Sequence, residues 1–161
     1  SRAAPGEEGE VRVRGPQLFR GYLDASLDAA AFDEDGFLRT GDLGSLDAEG
    51  FIRITGRLKD VIIRKGENIS AQEIENLLYE HPKVADAAVI GLPDPALGER
   101  ACAVVACRGE PLGFDEMVRF LAGKRLARQK IPEELELVDA VPRNASGKIE
   151  KQALRKRFAE G

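Results

Sequence analysis

The chain has 161 residues, of which 43% are hydrophobic, which suffices for one domain or for one domain and part of another. The 24 basic and 28 acidic residues give a net charge of −4, which argues against nucleic acid and acidic membrane surfaces as partners. Two cysteines and one histidine argue against a zinc site.

The two cysteines indicate the cellular compartment. Cys102 and Cys107 lie in one predicted strand at an odd spacing, so they are predicted to face opposite sides and cannot bridge each other. Unpaired thiols are typical of a reducing cytoplasm, which is the predicted location. No apolar run reaches membrane-spanning length and no signal peptide is visible. The start at Ser1, without an initiator methionine, indicates a piece of a longer protein.

The first third of the chain is predicted to be strand and turn. Glu10–Arg14 alternates in polarity as a strand does, and Phe51–Thr55 is a second predicted strand. Residues 24–36 are predicted as a loop or weak helix, and turns are predicted at Arg39–Leu43 and Asp47–Gly50. This β structure is too small to bury a core alone.

The remainder is predicted to alternate strands with amphipathic helices. Ser70 and Glu73 have the spacing of a capping box ahead of an apolar stripe that begins at Ile74, so residues 71–80 are predicted to be a helix. The other predicted elements are strands at Val61–Ile63, Val84–Ile90, Ala101–Cys107 and Glu134–Val138, a turn at Leu92–Pro95, and helices at Asp115–Ala122 and Ile149–Phe158. The predicted class is α+β: a small C-terminal domain, residues 58–161, with short sheets flanked by about three helices, after a β-rich segment, residues 1–57.

Three segments carry the candidate chemistry, in this order: Arg39-Thr-Gly-Asp-Leu43, Gly56–Asn68 and Pro142-Arg-Asn-Ala-Ser-Gly-Lys148. Each is weak alone. Together they resemble the C-terminal third of the adenylate-forming enzymes, which include the AMP-forming acyl-CoA synthetases. The resemblance runs from Gly9 to about Phe158.

The resemblance implies a parent enzyme of fatty acid metabolism that joins a carboxylic acid to coenzyme A through an acyl-adenylate, using ATP and Mg²⁺. Residues 1–57 would end the large N-terminal adenylation domain, and residues 58–161 would be the mobile lid domain. The phosphate loop and the acyl pocket belong to the missing part of the N-terminal domain, which is the expected partner. The chain alone is therefore expected to be inactive.

The same resemblance assigns the nucleotide side of the site. Lys148 would bridge the substrate carboxylate and the nucleotide, since an ammonium group stabilises developing negative charge. From its loop alone, Lys148 is simply an exposed lysine near a helix. Asp42 would accept hydrogen bonds from the ribose hydroxyls, although it also suits a turn. The planar fork of Arg57 would bind ribose or phosphate; otherwise it forms a surface ion pair.

The hinge and the coenzyme A side also follow from the resemblance. Lys59 and Asp60 would occupy the hinge about which the lid would alternate between adenylation and thioester formation. Gly66 would line the pantetheine channel, with Glu67 and Asn68 beside it, because a missing Cβ lets a thin ligand approach the backbone. The simpler interpretations are an ordinary linker and a turn glycine.

Two further features receive structural interpretations. His81 closes the helix over residues 71–80 and has no catalytic role. The basic run of the last helix is interpreted as a solvated face, with attraction of the nucleotide end of coenzyme A as the minor alternative; it comprises Lys151, Arg155, Lys156 and Arg157.

Other functions stay open at this stage. The chain could come from the adenylation domain of a peptide synthetase, or more distantly from a luciferase-like oxygenase. An end at Gly161 favours a stand-alone ligase if that end is native. A third possibility is a non-catalytic interaction module, for which Lys148 would have no effect on chemistry.

Overall fold

Two compact units make up the chain. The computed structural model describes residues 3–159, and its contacts divide the chain into Ser1–Lys59 and Asp60–Gly161. Within the described residues, no helix has the length and apolar character needed to cross a membrane.

The first unit contains a three-stranded antiparallel sheet in the order β1-β2-β3. The strands are β1 (Glu8–Val13), β2 (Leu38–Leu46) and β3 (Ile52–Arg57). Between β1 and β2 lie a short 3-10 turn, Ala25–Leu27, and the four-residue helix α1 (Asp28–Ala31). This short helix falls where the sequence predicts a loop or weak helix.

Strand β2 runs through a segment that the sequence predicts as a turn. Arg39–Leu43 lies inside the strand, so that prediction is wrong. Gly41 has a φ of +70°, and the pairing with β3 shifts register between Leu43 and Gly44. A left-handed glycine and a bulge let a strand bend without ending, which explains the turn-like sequence.

The first unit buries no apolar side chain within residues 3–59. Gly44 and Gly56 are the buried residues there. In contrast, Phe51, Ile52 and Ile54 are 70%, 56% and 57% exposed. Because a small sheet needs one covered apolar face for stability, this unit lacks a core of its own.

The second unit is built on a five-stranded sheet. Its strands are β4 (Val61–Arg64), β5 (Glu67–Ser70), β6 (Val84–Asp94), β7 (Gly98–Cys107) and β8 (Glu134–Leu137). Antiparallel pairing gives the order β5-β4-β7-β6, and β8 pairs with β7 in parallel. The short polar strand β5 is not predicted from the sequence.

Three α-helices flank this sheet within the described residues: α2 (Ala71–Tyr79), α3 (Phe114–Gly123) and α4 (Lys151–Phe158). The Oγ of Ser70 accepts the backbone N–H of Glu73 at 3.3 Å, which confirms Ser70 as the N-cap of α2, while the Oε2 of Glu73 accepts a hydrogen bond from the Nζ of Lys130 at 2.7 Å. Short sheets with about three helices, after a β-rich segment, confirm the predicted α+β class.

Two apolar clusters lie on the two faces of the sheet. Helices α2 and α3 cover the first face with Ile74, Leu78, Met117 and Leu121, which are fully buried. Helix α4 covers the second face with Leu154, which is 1% exposed. The alternation of side chains along β6 and β7 supplies both clusters.

The two cysteines confirm this alternation. Cys102 belongs to the second cluster, Cys107 packs against the first, and both are free. The prediction that they face opposite sides is therefore confirmed. Burial raises the pKa of the Cys102 thiol to about 12, so this thiol is protonated at neutral pH.

Strand β6 also continues through a predicted turn, Leu92–Pro95. Leu92 is fully buried, and the strand ends only at Asp94, whose Oδ1 accepts the N–H groups of Ala96 and Leu97 at 2.9 and 2.8 Å. The prediction of a turn from Leu92 is therefore wrong: the chain stays extended through Asp94 with Leu92 packed in the second apolar cluster, and the turn begins at Pro95.

Candidate functional site

Asp42 and Arg57 lie opposite each other on β2 and β3. The Nε of Arg57 lies 2.7 Å from the Oδ1 of Asp42, and the two side chains are 52% and 28% exposed. Within residues 3–159, no hydrogen bond occupies the Oδ2 of Asp42. The structure therefore brings together the two residues that the resemblance assigns to the nucleotide.

A concave pocket of about 320 Å³ adjoins this pair, lined by Gly41, Arg57, Leu58 and Lys59. The bend at Gly41 lets the backbone turn here. The hydroxyl of Thr40 accepts the N–H of Asp42 at 3.0 Å and so fixes the backbone beside the pocket. The guanidinium of Arg57 lines the pocket, and Asp42, which pairs with it, directly follows the lining residue Gly41.

Lys59 and Asp60 end the first unit and begin the second. Both belong to the 3-10 turn Leu58–Asp60. Lys59 is exposed and forms no ion pair within residues 3–159, whereas Asp60 lies 3.9 Å from the Nζ of Lys151 and 3.8 Å from Arg155. Asp60 is thus tied to helix α4, and Lys59 is not.

Lys151, which lies near Asp60, forms a second and shorter ion pair with the buried residue Glu75. The Nζ of Lys151 is 2.7 Å from the Oε1 of Glu75, and the side chains are 12% and 5% exposed. The same Oε1 accepts the backbone N–H of Val89 at 2.8 Å. The interpretation of Lys151 as part of a solvated face is therefore wrong, because its ammonium is paired inside the fold.

Gly66 occupies the tip of the β4–β5 hairpin. Lys65 and Gly66 form a two-residue loop in which both φ angles are positive, 50° and 81°. Tight hairpin loops of this kind favour glycine at such a position. A Cβ built on Gly66 would meet nothing within 4 Å, and Glu67 and Asn68 are exposed. The hairpin tip therefore presents bare backbone to solvent.

Lys148 lies at the end of a compact turn organised by Asn144. The side-chain oxygen of Asn144 accepts the N–H of Ser146 at 3.1 Å and the N–H of Lys148 at 2.9 Å. The N–H of Asn144 donates to the carbonyl of Lys148 at 2.9 Å. Gly147 has a φ of +80°, which closes the turn. The backbone of Lys148 is held on both sides.

The ammonium group of Lys148, in contrast, is available. The residue is exposed, and its Nζ forms no hydrogen bond or ion pair within residues 3–159. A fixed backbone that carries an unpaired cation can interact with an incoming anion.

Arg143 connects the Lys148 turn to the sheet. Its Nη1 donates to the carbonyl of Gly147 at 2.8 Å, and its Nη2 lies 2.8 and 2.9 Å from the two carboxylate oxygens of Asp86. The hydroxyl of Tyr79 donates to Asp86 at 2.5 Å. Burial raises the pKa of Asp86, but the hydrogen bonds from Tyr79 and Arg143 outweigh it, so this pKa lies below its ordinary value.

His81 follows the C-terminal end of helix α2 and is buried in the core of the second unit. It is 6% exposed, its Nδ1 accepts the N–H of Lys83 at 3.2 Å, and its ring packs edge-on against Phe120. These contacts occupy the side chain in the core.

Within residues 3–159, no group of three or more His, Cys, Asp or Glu residues is arranged to hold a metal ion.

Sequence reasoning missed Glu75, Asp86 and Arg143. Glu75 directly follows Ile74 on the buried side of α2, and a charge beside an apolar stripe signals a hidden partner. Arg143 lies inside the Lys148 segment but carries no spacing signal of its own. No pattern links Asp86 to it, because the two residues are distant in sequence.

Comparison with known proteins identifies the family. The model of the AMP-binding enzyme C-terminal domain matches residues 73–148. The medium-chain fatty-acid–CoA ligase of Escherichia coli K12 is 48% identical over 155 residues, 94% of this chain and 27% of that protein. The 2,3-dihydroxybenzoate-AMP ligase of Bacillus subtilis 168 is 45% identical over 157 residues, 97% of this chain and 29% of that protein.

A solved structure agrees with these matches. The crystal structure of ATP-bound MatB from Rhodopseudomonas palustris has a TM-score of 0.88 and 36% identity, and the match covers 98% of this chain and 32% of that one. The chain thus spans 27% to 32% of the lengths of these three proteins. The chain belongs to the adenylate-forming enzymes and contains their AMP-binding C-terminal domain.

Proposed function

We propose that the chain is the C-terminal portion of an ATP-dependent carboxylic acid:CoA ligase. In the first half-reaction, a carboxylate oxygen bonds to the α-phosphorus of ATP and pyrophosphate leaves. In the second, the thiolate of coenzyme A bonds to the acyl carbon and AMP leaves. The observation that carries the proposal is the unpaired, exposed ammonium of Lys148 on a turn whose backbone is held by hydrogen bonds.

Lys148 acts in the first half-reaction. Its ammonium would stabilise the negative charge shared by the attacking carboxylate and the nucleotide phosphate. Because the turn is held by Asn144, the cation needs little reorganisation to reach its working position. The long side chain supplies the remaining reach.

Asp42 and Arg57 take the nucleotide. With Oδ1 paired to Arg57, the other oxygen of Asp42 is open to a ribose hydroxyl. The adjoining pocket of about 320 Å³ leaves room beside them. ATP use is supported by the ATP-bound relative. Mg²⁺ would arrive with ATP and would be bound mainly by the N-terminal portion, which also holds the acid.

The Gly66 hairpin serves the second half-reaction. Bare backbone at Gly66, with Glu67 and Asn68 beside it, suits the thin pantetheine arm of coenzyme A.

A hinge would let the second unit present the Lys148 turn in the first half-reaction and the Gly66 hairpin in the second. Asp60 is tied to helix α4 and would move with the second unit, so the backbone change would fall at Lys59.

The test uses the assembled enzyme, meaning this chain joined to the N-terminal adenylation portion of its own protein. ATP–pyrophosphate exchange is measured for Lys148→Ala and for Lys156→Ala, an exposed lysine of α4 that serves as the matched control. Loss of exchange in the first variant alone supports the proposal. Unchanged exchange in Lys148→Ala would reject the ligase and favour a non-catalytic interaction module.

A second candidate is an adenylating enzyme that loads a protein-bound pantetheine, as a peptide synthetase does. The similar identity to a fatty-acid–CoA ligase and to a 2,3-dihydroxybenzoate-AMP ligase, 48% and 45%, keeps this candidate in view. Offering coenzyme A and a phosphopantetheinyl carrier protein to the assembled enzyme separates the two. Fatty acids as substrates and a cytoplasmic location remain predictions.

A further inference from the structure

We propose that Arg143 is a positioning residue for Lys148, and that Asp86 holds Arg143 for that purpose. The inference rests on the proposed function, because it concerns the geometry of the adenylation step. It assigns a role to two residues beyond Lys148 itself.

The geometry of Arg143 is the first argument. The Nη1 of its guanidinium donates a hydrogen bond to the carbonyl of Gly147, which belongs to the peptide group between Gly147 and Lys148. Its Nε and Nη2 bind the carboxylate of Asp86 at 3.2 Å and 2.8–2.9 Å. Because the planar guanidinium of Arg143 binds Gly147 on one side and Asp86 on the other, it fixes the position and orientation of the Lys148 turn relative to β6.

The second argument is where the clamp is anchored. Asp86 lies on β6, an edge strand of the five-stranded sheet that pairs with the central strand β7 along its length. Its Oδ1 also accepts the hydroxyl of Tyr79 at 2.5 Å and the N–H of Ala87 at 3.0 Å. The carboxylate is thus oriented by helix α2 and by its own strand before it meets Arg143.

The third argument is the short hairpin that contains both Arg143 and Lys148. Arg143 forms a β-bridge with Ile149, the residue after Lys148. The Asn144 bonds shape the tip of this hairpin, and the Arg143–Asp86 pair joins its base to the sheet. Without the clamp, the tip would keep its shape but could tilt as a unit, and displacements of about 1 Å at a catalytic group can cost about 100-fold in rate.

The alternative is that Arg143 and Asp86 form only a surface ion pair, which contributes little beyond stability. Arg100 provides a matched control, because it also pairs with a carboxylate, Glu134 at 2.7 Å, and donates to a carbonyl, that of Pro93 at 2.9 Å. Arg100→Lys removes a comparable fork from the same unit without touching the Lys148 turn.

The experiment measures both half-reactions of the assembled enzyme for Arg143→Lys, Asp86→Asn and Arg100→Lys. We expect Arg143→Lys and Asp86→Asn to lower the kcat of adenylation about 10-fold, with the KM for ATP and acid little changed. Thioester formation from preformed acyl-adenylate should stay within about twofold of the unsubstituted enzyme, and Arg100→Lys should leave both rates unchanged.

A double-mutant cycle tests whether Arg143 acts through Lys148. The effect of Arg143→Lys should disappear in the Lys148→Ala background, because a misplaced cation matters only when the cation is present. Additive losses, equal losses in both half-reactions, or adenylation by Arg143→Lys within about twofold of normal would overturn the inference. If Lys148→Ala itself keeps full exchange, the proposed function fails and this inference fails with it, whereas a Lys148-dependent enzyme that tolerates Arg143→Lys overturns the positioning role alone.

Discussion

Glu75 and Lys151 form an ion pair inside the second unit, 2.7 Å between Oε1 and Nζ, although the residues on either side of Lys151, Glu150 and Gln152, are exposed. The pair joins α2 to the first turn of α4. Because α4 directly follows the Lys148 turn, the same contact holds the base of the segment that carries the candidate catalytic residue.

Breaking this pair should destabilise the chain. Removing one partner leaves a buried charge, so we expect Lys151→Met to lower the free energy of unfolding by about 3 kcal/mol. Glu75→Gln keeps an acceptor for the N–H of Val89 and should cost less. Urea unfolding of this chain measures both effects.

The double variant gives the control. Glu75→Gln together with Lys151→Met should cost less than the sum of the single variants by at least about 1 kcal/mol, because the second change removes the orphaned charge. Additive costs would mean that the two groups are independent and that the pair seen in the structure does not contribute.

The two units should differ in independent stability. Residues 60–161 contain both apolar clusters, whereas residues 3–59 bury no apolar side chain. We therefore expect the isolated segment 60–161 to unfold cooperatively on heating and the isolated segment 1–59 to show no cooperative transition by circular dichroism. A cooperative transition in segment 1–59 would contradict this account of its missing core.

The acid side of the stability profile should depend on Asp86. Hydrogen bonds from Tyr79 and Arg143 outweigh the effect of burial and hold the pKa of this carboxyl below its ordinary value of 3.8. Its folded-state pKa is depressed, so its contribution is present above the ordinary pKa and is lost as pH falls through the folded-state pKa. The unfolding free energy of Asp86→Asn should therefore fall less steeply than that of the unsubstituted chain below about pH 4.

Urea unfolding across about pH 2 to pH 6 measures this difference. Asp139→Asn is a suitable control, since Asp139 is exposed and forms no ion pair within residues 3–159. Curves for Asp86→Asn that run parallel to those of the unsubstituted chain would show that Asp86 is not specially bound in the folded state.

Local patterns predicted the second unit well. The helix over residues 71–80 was predicted from the Ser70 cap and its apolar stripe, and α2 spans Ala71–Tyr79. Both signals are local, since the cap bonds three residues away and the stripe follows the helical repeat. The placement of Cys102 and Cys107 on opposite faces also follows from a local signal, the two-residue alternation of side chains along a strand.

The errors came from contacts between distant residues. The sequence predicts Lys151 as part of a solvated basic face, because nothing beside it in sequence indicates that the carboxylate of Glu75 lies next to it in the fold. Arg39–Leu43 has the sequence of a turn, and only the pairing of Arg39, Asp42 and Leu43 with the two neighbouring strands keeps the bend at Gly41 inside β2. The clamp formed by Arg143 and Asp86 was missed because side-chain geometry across a sheet leaves no local periodicity.

The proposal that the second unit serves one half-reaction through Lys148 and the other through Gly66 is tested most directly by measuring both half-reactions for two variants of the assembled enzyme. Lys148→Ala should lower ATP–pyrophosphate exchange at least about 100-fold and leave thioester formation from preformed acyl-adenylate nearly intact. Gly66→Leu should do the opposite, lowering thioester formation about 10-fold. Gly109→Leu, a change at another left-handed glycine with open space around it, controls for backbone strain. If both variants impair the same half-reaction, or neither impairs any, the two-face account is contradicted.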